Sequence, residues 1–385
     1  MLRTLTASRL ALIVTAVCTA VALSACGSYK SSDTVTLTAA AALAPAAGTA
    51  PDLHVSGNHL VNAHGARVVL HGVDRSGSEY ACVQGWGLFD GPVNQAAVNA
   101  MKTWDINAVR VPLNEACWNG ESYVSSKYRG ASYRAAVEAF VSLLNRNGLV
   151  VILDLHWTDG AYSRPGGCSS ARAVCQKPMP DTAESVPFWR SVAGVFKHND
   201  SVIFDLFNEP YPENAPGATE TEAWHCWLHG GHCTGIPYSV AGMQTLVNTV
   251  RAVGAKNVIM LGGLGYASDL TEWLTDKPAD PDHNLAASWH AYNFSGCHVS
   301  SCWNSQVAPV LKKVPLIAGE IGENDCADRY IDPLMAWLDA RSASYLAWAW
   351  NADFGCGPGP GLIINYKGKA TNYGAGYKAH LVSLR

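Results

Sequence analysis

The sequence has little charge and no run of basic residues. Charged side chains make up 15% of the 385 residues, and the formal net charge is -4 at pH 7. Nucleic acids and anionic membrane surfaces are bound through clusters of Lys and Arg, so this balance predicts neither as a partner. Hydrophobic residues make up 48% of the chain, which is ample for one large core or two modest ones. A neutral partner is therefore expected.

Long hydrophobic runs are also lacking, and the longest one lies at the N-terminus. It extends from Leu10 to Leu23, after two Arg residues. This run is too short to cross a bilayer and fits the hydrophobic region of an export signal. Its end, Leu23-Ser24-Ala25-Cys26, resembles the lipobox of bacterial lipoproteins, in which the Cys is lipidated. We expect a lipoprotein-type signal peptide over residues 1–25, with ordinary cleavage and secretion as the alternative.

Residues 26–51 offer few side chains that could form a core. They are mostly small or polar, with many Ala, Ser and Thr residues. Such a composition does not bury enough apolar surface to fold, so it predicts a flexible tether. The tether would hold a single folded domain, residues 52–385, off the membrane in the cell envelope.

Ten cysteines remain once Cys18 in the signal peptide and Cys26 are set aside. An even number of cysteines in an exported protein indicates disulfides rather than free thiols. Sequence alone does not determine the connectivity. Close spacing suggests three of the pairs, and we would join the other four cysteines as two more. The expected pairs are Cys168/Cys175, Cys226/Cys233, Cys297/Cys302, Cys82/Cys117 and Cys326/Cys356.

The stretch from His225 to Cys233, HCWLHGGHC, contains enough nitrogen and sulfur to bind zinc. Structural zinc sites usually take paired ligands from two elements, whereas this stretch is one Gly-rich loop in an oxidising compartment. We therefore expect a disulfide here and no metal site.

Short runs rich in Val, Ile, Leu and Ala recur along the predicted domain, with helix-like stretches such as YRAAVEAFVSLLNRNG between them. Regular alternation of strand and helix predicts a parallel sheet. Eight strands that are apolar on both faces favour a (β/α)8 TIM barrel, with an open doubly wound sheet as the alternative. A β-hairpin before the first run would cap one end, and disulfides would link the loops. The runs begin at Val68, Ala108, Val150, Val202, Val258, Leu285, Pro315 and Tyr345.

The stretch FDLFNEP places Glu209 at the end of the fourth run, and Glu320 ends the seventh. A carboxylate in an apolar setting is costly unless it is paired, hydrogen-bonded or neutralised. In a barrel the carboxyl ends of the strands meet at the face that carries the active site, so the two side chains would face each other. Glycoside hydrolases use two opposed carboxyl groups. A separation of ~5 Å between them leads to retention of the anomeric configuration, and a separation of ~6.5 to 9.5 Å leads to its inversion.

Over about residues 52–385 the chain resembles glycoside hydrolase family 5, a group of retaining β-glycosidases on a (β/α)8 barrel that includes many cellulases and mannanases. In that family an Asn-Glu-Pro carries the acid/base, and Asn208-Glu209-Pro210 matches it. The family's nucleophile matches Glu320 in IAGEIG. Five more strand-end positions of the family are filled in order, by Arg110, His156, His290, Tyr292 and Trp350.

The resemblance implies a role for each of these residues. Arg110 and Tyr292 would donate hydrogen bonds that keep Glu320 ionised as the nucleophile. Glu209 would be protonated in the free site and act first as acid and then as base. The other four would bind the sugar: Asn208 the 2-hydroxyl, His156 and His290 hydroxyl groups or Glu209, and Trp350 the ring face.

The expected activity is that of a retaining endo-β-1,4-glucanase. Long loops after the first and fourth runs leave open a β-mannanase or an exo-β-glycosidase, and a non-catalytic carbohydrate-binding lipoprotein is a further alternative. The 13 Trp and 15 Tyr residues, against 8 Phe, suit a sugar ligand because their rings combine an apolar face with a polar edge. We expect an oligo- or polysaccharide partner, a monomer, and neither cofactor nor metal, because two carboxylates supply the chemistry.

Overall fold

The computed structural model describes residues 50–163, 168–357 and 359–385. The predicted signal peptide, Cys26 and the tether up to residue 49 lie outside these ranges. Ala50 is already buried, and its N–H donates to the carbonyl of Asn145. Among the described residues, no helix has the length and apolar character needed to cross a membrane.

The strands fall into one closed barrel and three small antiparallel sheets. In chain order they are β1 (Leu53–Ser56), β2 (His59–Asn62), β3 (Arg67–Val68), β4 (His71–Asp74), β5 (Ala108–Asn114), β6 (Val150–Trp157), β7 (Val202–Asp205), β8 (Gly230–His232), β9 (Ser239–Ala241), β10 (Ile259–Gly262), β11 (Leu285–Tyr292), β12 (Leu316–Gly322), β13 (Ser344–Ala347), β14 (Ile363–Asn365) and β15 (Lys369–Ala370).

The helices lie mainly between the barrel strands. They are α1 (Ala81–Gln84), α2 (Gln95–Lys102), α3 (Glu115–Asn119), α4 (Ala131–Arg146), α5 (Ser185–Phe196), α6 (Glu220–His229), α7 (Met243–Ala252), α8 (Leu264–Ala267), α9 (Ser300–Cys302), α10 (Ala308–Leu311), α11 (Ile331–Asp339) and α12 (Asn372–Ser383), with a 3-10 turn at Pro212–Asn214 and a π-helical turn at Trp303–Val307.

The barrel consists of β4, β5, β6, β7, β10, β11, β12 and β13, each parallel to its neighbours. The last barrel strand, β13, pairs with the first, β4, and so closes the barrel, while β7 pairs with β10, the next barrel strand after the separate β8/β9 sheet. Every residue of β5, β11 and β12 is buried, as expected for strands covered on both faces. The predicted (β/α)8 barrel is therefore confirmed, and the open sheet is excluded.

The helices cover the barrel with one apolar face each. In α7 the buried side chains include Met243, Leu246, Val247 and Val250. This spacing of three and four residues places them on one side of the helix, towards the core. The helix-like stretches of the sequence correspond in the same way to α4 and α5.

The predicted N-terminal cap forms a three-stranded antiparallel sheet, β1 to β3. Its side chains Leu53 and Leu60 belong to one buried apolar cluster with Val150, Ile203 and Met260 of the barrel. These barrel residues lie at the amino ends of their strands or close to them, so the cap closes the end of the barrel opposite the carboxyl ends of the strands.

All five expected disulfides are present. The Cys82–Cys117 bond joins the segments that follow β4 and β5, and Cys326–Cys356 joins those that follow β12 and β13. Cys226 is bonded to Cys233, so neither is a thiolate that could bind zinc. The disulfide expected in this loop is confirmed.

Candidate active site

The two predicted glutamates lie at the carboxyl ends of their strands and open onto one cleft. Glu320 is part of β12, and Glu209 follows β7 by four residues. A carboxylate oxygen of each lies within 4.8 Å of the other and of a nitrogen of His290. The side chain of Glu320 is 4% exposed and that of Glu209 is 17% exposed. Both line a cleft of about 540 Å³.

Glu320 is held by two donors. The Nη1 of Arg110 lies 2.7 Å from its Oε1, and the hydroxyl of Tyr292 lies 2.5 Å from its Oε2. Burial and the neighbouring Glu320 charge raise the pKa of Tyr292 well above its usual value, so the hydroxyl keeps its proton and donates it. Both donors hold the Glu320 carboxyl group in one orientation, as a group that attacks as a nucleophile must be held.

The guanidinium of Arg110 is the centre of a buried polar cluster. It contacts Asp74 at 3.0 Å, Asp205 at 3.0 Å and Asp154 at 3.1 Å, in addition to Glu320. Burial raises the pKa of all three aspartates, while Arg110 opposes this effect. None of the three aspartates was among the catalytic or binding residues expected from the sequence. Asp74 ends the first barrel strand, and that position was a signal that could have identified it.

Glu209 has a different environment from Glu320. Its Oε1 lies 3.0 Å from Nδ1 of His290, and its Oε2 accepts a 3.0 Å hydrogen bond from Nε2 of Gln176. Burial raises the pKa of the Glu209 carboxyl, whereas the Gln176 hydrogen bond lowers it. A raised pKa is what a general acid requires near neutral pH. Gln176 belongs to a loop without periodic pattern, and nothing in the sequence pointed to it.

Both predicted histidines lie next to the carboxyl groups. Burial lowers the pKa of His156 to about 4 and that of His290 to about 3, so both imidazoles are neutral at pH 7. Nδ1 of His156 lies 2.6 Å from Oδ2 of Asp154. An ionised carboxylate can only accept, so this nitrogen is assigned the proton. Asn208 accepts a 2.8 Å hydrogen bond from Arg110 through Oδ1 and lines the cleft.

The prediction for Trp350 was wrong. Its side chain is fully buried and packs against Trp104, with ring centroids 4.9 Å apart. The tryptophan of the cleft is Trp348, which stacks on His156 at 5.4 Å with ring planes 15° apart. Strand β13 ends at Ala347, so Trp348 is the first residue beyond it. The motif AWAWN offers two tryptophans, and the prediction extended the strand too far.

Two exposed aromatic side chains of the cleft were not predicted. Tyr266 follows β10, is 45% exposed and stacks on Tyr211 at 4.6 Å. Phe294 follows β11, is 60% exposed and stacks on Tyr292 at 5.0 Å. Tyr266 has φ +60°, a left-handed conformation that is rare for a bulky residue and is typically found at functional sites. The preceding stretch, Gly262-Gly263-Leu264-Gly265, begins with the last residue of β10 and leads into this turn.

Glu209, His290 and Glu320 are also close enough together to hold a metal ion. The oxygens of Glu320 already accept hydrogen bonds from Arg110 and Tyr292, and the Arg110 cation would oppose a second cation nearby. A carboxyl pair that transfers protons and attacks an electrophile explains this arrangement with the groups present.

The site can be compared with known proteins. A family model described as Cellulase (glycosyl hydrolase family 5) matches residues 61–354. Endoglucanase A of Butyrivibrio fibrisolvens is 24% identical over 275 residues, which are 70% of this chain and 52% of that protein. The chain thus spans about half the length of that relative. Mannan endo-1,4-beta-mannosidase of Streptomyces lividans is 22% identical over 325 residues, 81% of this chain and 70% of that protein.

Solved structures agree in fold. A beta-glucanase from Saccharophagus degradans in complex with cellotetraose superposes with a TM-score of 0.64 at 17% identity, covering 87% of this chain and 94% of that one. A beta-mannanase from Thermomonospora fusca gives a TM-score of 0.58 at 20% identity, covering 84% and 93%. At these identities the likeness shows the barrel fold alone.

Proposed function

The chain belongs to glycosyl hydrolase family 5, and we propose that it is a retaining endo-β-1,4-glucanase that acts by double displacement. The observation that carries this proposal is the distance between the two carboxyl groups. Oxygens of Glu209 and Glu320 lie within 4.8 Å of each other. Retaining enzymes need about 5 to 5.5 Å, whereas inverting enzymes need roughly 6.5 to 9.5 Å to admit a water molecule.

In the first step, ionised Glu320 attacks the anomeric carbon of the sugar. The bond from this carbon to the glycosidic oxygen breaks, and the oxygen takes the bonding electrons together with the proton of Glu209. A glycosyl ester of Glu320 forms, and the shortened chain leaves with a new hydroxyl group. Arg110 and Tyr292 hold the attacking carboxylate in place through their contacts of 2.7 and 2.5 Å.

In the second step, Glu209 is ionised and removes a proton from a water molecule. The resulting hydroxide attacks the anomeric carbon, the ester bond breaks, and Glu320 recovers its negative charge. The ester is neutral, so the repulsion between the two carboxylates is absent while Glu209 works as a base. Asn208 and Trp348 line the same cleft, where Asn208 would bind the sugar 2-hydroxyl and Trp348 would contact the sugar ring.

Endo action is supported by the aromatic side chains on both sides of the catalytic pair. Tyr266 and Phe294 follow the fifth and sixth barrel strands, which lie between the strands that carry Glu209 and Glu320, whereas Trp348 follows the eighth strand, on the other side of Glu320. The acid protonates the leaving part of the chain, so Tyr266 and Phe294 would hold the sugars that leave. A polymer cut within its length needs sugar contacts on both sides.

Glucan is the proposed substrate because several relatives are named endoglucanases, from Butyrivibrio fibrisolvens and Pectobacterium atrosepticum among others. A second candidate is β-mannan. The relative from Streptomyces lividans, which aligns with 81% of this chain, is named a mannan endo-1,4-beta-mannosidase. The same catalytic pair serves both substrates, since glucose and mannose differ only in the orientation of the 2-hydroxyl.

We also propose that the protein is exported and acts as a monomer in the cell envelope, anchored through lipidated Cys26 and a tether ending near residue 51. The lipobox-like sequence supports the anchor. Five disulfides support export, since such bonds persist in oxidising compartments. Metabolic labelling with a radioactive fatty acid tests it: label should enter the wild type and be absent from Cys26→Ser.

The activity is tested with aryl β-glycosides, β-1,4-glucan and β-1,4-mannan, comparing the wild type with Glu320→Ala. Proton NMR of the first product should show the β-anomer before mutarotation, and the variant should be inactive. Inverted configuration would refute double displacement. Mannan as the preferred polymer would select the second candidate, and no turnover of any compound would refute the hydrolase.

A further inference from the structure

Gln176 lies on the loop between β6 and α5 and lines the cleft. Its Nε2 is 3.0 Å from the carboxylate Oε2 of Glu209 and 3.0 Å from the backbone carbonyl oxygen of the same residue. A backbone carbonyl can only accept, so the amide nitrogen, and not the amide oxygen, must face Glu209. The side chain of Gln176 therefore donates to Oε2.

The backbone around Gln176 is fastened to the barrel at several points. The carbonyl of Gln176 accepts from the Tyr211 hydroxyl at 3.2 Å, and the Tyr211 N–H donates to Pro178 at 3.0 Å. Asn114 donates to the carbonyl of Ala173 at 2.7 Å. The neighbouring Cys175 is bonded to Cys168. Gln176 is thus held in place before any substrate arrives, as a group that orients a reacting residue must be.

The other groups that face Glu209 act differently. His290 lies at Oε1 and is neutral because burial lowers its pKa to about 3. The Arg110 cation lowers the pKa of Glu209 without touching it, and a carboxylate oxygen of Glu320 lies within 4.8 Å. Gln176 is the partner that donates directly to Oε2.

The contact also distinguishes the two oxygens of Glu209. An oxygen that accepts an N–H bond is a poor site for the acid proton, so the Gln176 contact disfavours Oε2 as the protonated oxygen. At Oε1 the partner is the neutral imidazole of His290, whose Nδ1 donates in one tautomer and accepts in the other. The Nδ1 of His290, 3.0 Å from this Oε1, also lies 3.6 Å from Oε2 of Glu320. Oε1 is therefore on the nucleophile side of the carboxyl group, where the scissile bond would lie.

We propose that Gln176 is the positioning residue of the acid/base: by donating to Oε2 and to the backbone carbonyl of Glu209, it fixes the orientation of the Glu209 carboxyl so that Oε1 faces the nucleophile. This inference rests on the proposed function. Without the Gln176 donor the ionised form of Glu209 loses a hydrogen bond, so the pKa of Glu209 would rise.

The test is Gln176→Met, which keeps the length of the side chain and removes the N–H donor. The alkaline limb of kcat/KM on a cellooligosaccharide reports the loss of the acid proton, and it should move up by about one pH unit. With 2,4-dinitrophenyl β-cellobioside, whose leaving group needs no proton, kcat depends on the base step. Its acid limb should move up by a similar amount.

Gln244→Met is the matched control. Gln244 lies on α7, donates through Nε2 to the carbonyl of Ala279 at 2.9 Å, and lines a different cavity, together with Val55 of the N-terminal sheet. The same substitution there removes the same kind of hydrogen bond, and both limbs should stay at their wild-type pH. Near-UV circular dichroism verifies the fold. If Gln176→Met does not fold, Gln176→Glu replaces it, and its added carboxyl group should raise the same limbs further.

A fall in kcat/KM that is equal at all pH values, with unmoved limbs, would overturn the proposal. The pKa of Glu209 can also be measured without turnover, by NMR titration of ¹³C-labelled glutamate, with Glu209→Gln to assign the signal. Equal values in the wild type and in Gln176→Met would overturn the Gln176 inference even in an active enzyme. If the pKa of Glu209 is higher in Gln176→Met than in the wild type, but the wild type hydrolyses no substrate, the Gln176 inference is supported and the proposed function is refuted.

Discussion

Replacing Trp348 and Trp350 separately by Ala tests whether the two side chains have different roles, one in the cleft and one in the core, although they are only two positions apart. Trp350 is fully buried against Trp104, whereas Trp348 lines the cleft. We expect Trp350→Ala to lower stability strongly, and Trp348→Ala to lower activity with little effect on stability. The two effects should separate because one ring contacts only protein and the other is placed to contact sugar.

The magnitudes follow from burial. Truncating a fully buried Trp to Ala costs about 3 to 5 kcal/mol of unfolding free energy, because a cavity is left among Trp104 and its neighbours. In a domain of this size the melting temperature should fall by roughly 4 to 7 °C, since the entropy of unfolding is about 2.1 cal/mol/K per residue. A sugar bound to Trp348 would cover one ring face, which is about half of the roughly 150 to 250 Å² that a Trp can bury. At ~25 cal/mol per Å² this contact contributes about 2 kcal/mol of binding free energy. That corresponds to a ~30-fold loss of kcat/KM.

The assay combines urea unfolding with kcat/KM on cellotetraose for both variants, measured at a temperature at which each is folded. Trp348→Phe is the control, since it keeps an aromatic face and should recover most of the activity. The reasoning is refuted if Trp350→Ala is as stable as the wild type, or if Trp348→Ala retains full kcat/KM.

Three further predictions concern the acid/base, the leaving side of the cleft and a surface ion pair. Glu209→Ala should lose ~10²- to 10⁴-fold in kcat/KM on cellooligosaccharides but little in the first step with 2,4-dinitrophenyl β-cellobioside, whose leaving group needs no proton. Added azide should replace water in the second step and yield a β-glycosyl azide that NMR detects. Equal losses on both substrates would contradict the role of Glu209 as acid. Tyr266→Ala should lower kcat/KM on cellotetraose ~10-fold and leave kcat/KM on cellobiosyl fluoride unchanged, because the fluoride has no sugar on the leaving side. A loss on both substrates would show that Tyr266 does not act on the leaving side. Burial raises the pKa of Asp339, but hydrogen bonds with His380 and His71 outweigh this and lower it to about 2. The stability that Asp339 contributes is therefore present above pH ~4 and lost as the pH falls towards 2. The difference in urea midpoint between the wild type and Asp339→Asn should shrink over that interval. A constant difference would refute the ion pair.

The barrel was predictable because its strands are apolar on both faces, and each predicted run contains a barrel strand. The ends of the strands were less well predicted. The apolar run that begins at Val202 was predicted to continue to Pro210, whereas β7 ends at Asp205. Strand ends depend on pairing with neighbouring strands, which hydropathy does not reveal. The same limit caused the error at Trp350, since side chains beyond Ala347 no longer follow the alternation of a strand.

The two carboxyl groups of the cleft were predictable because an acidic residue at the end of an apolar run is conspicuous. Gln176, Tyr266 and Phe294 were not, since they lie on loops whose paths are set by distant contacts. Gln176 reaches Glu209 across 33 positions of the chain and through a segment without periodic pattern. Tyr266 is presented by a left-handed backbone that no hydropathy pattern indicates.

The cluster around Arg110 has an evolutionary consequence. Its acidic partners Asp74, Asp154, Asp205 and Glu320 come from four different barrel strands, so a change in any of them leaves buried charge unpaired and disturbs fold and chemistry together. The aromatic residues that would contact the leaving sugars are borne by loops outside this cluster. New polysaccharides can therefore be accommodated by exchanging loops, while the inherited reaction stays fixed in the strands.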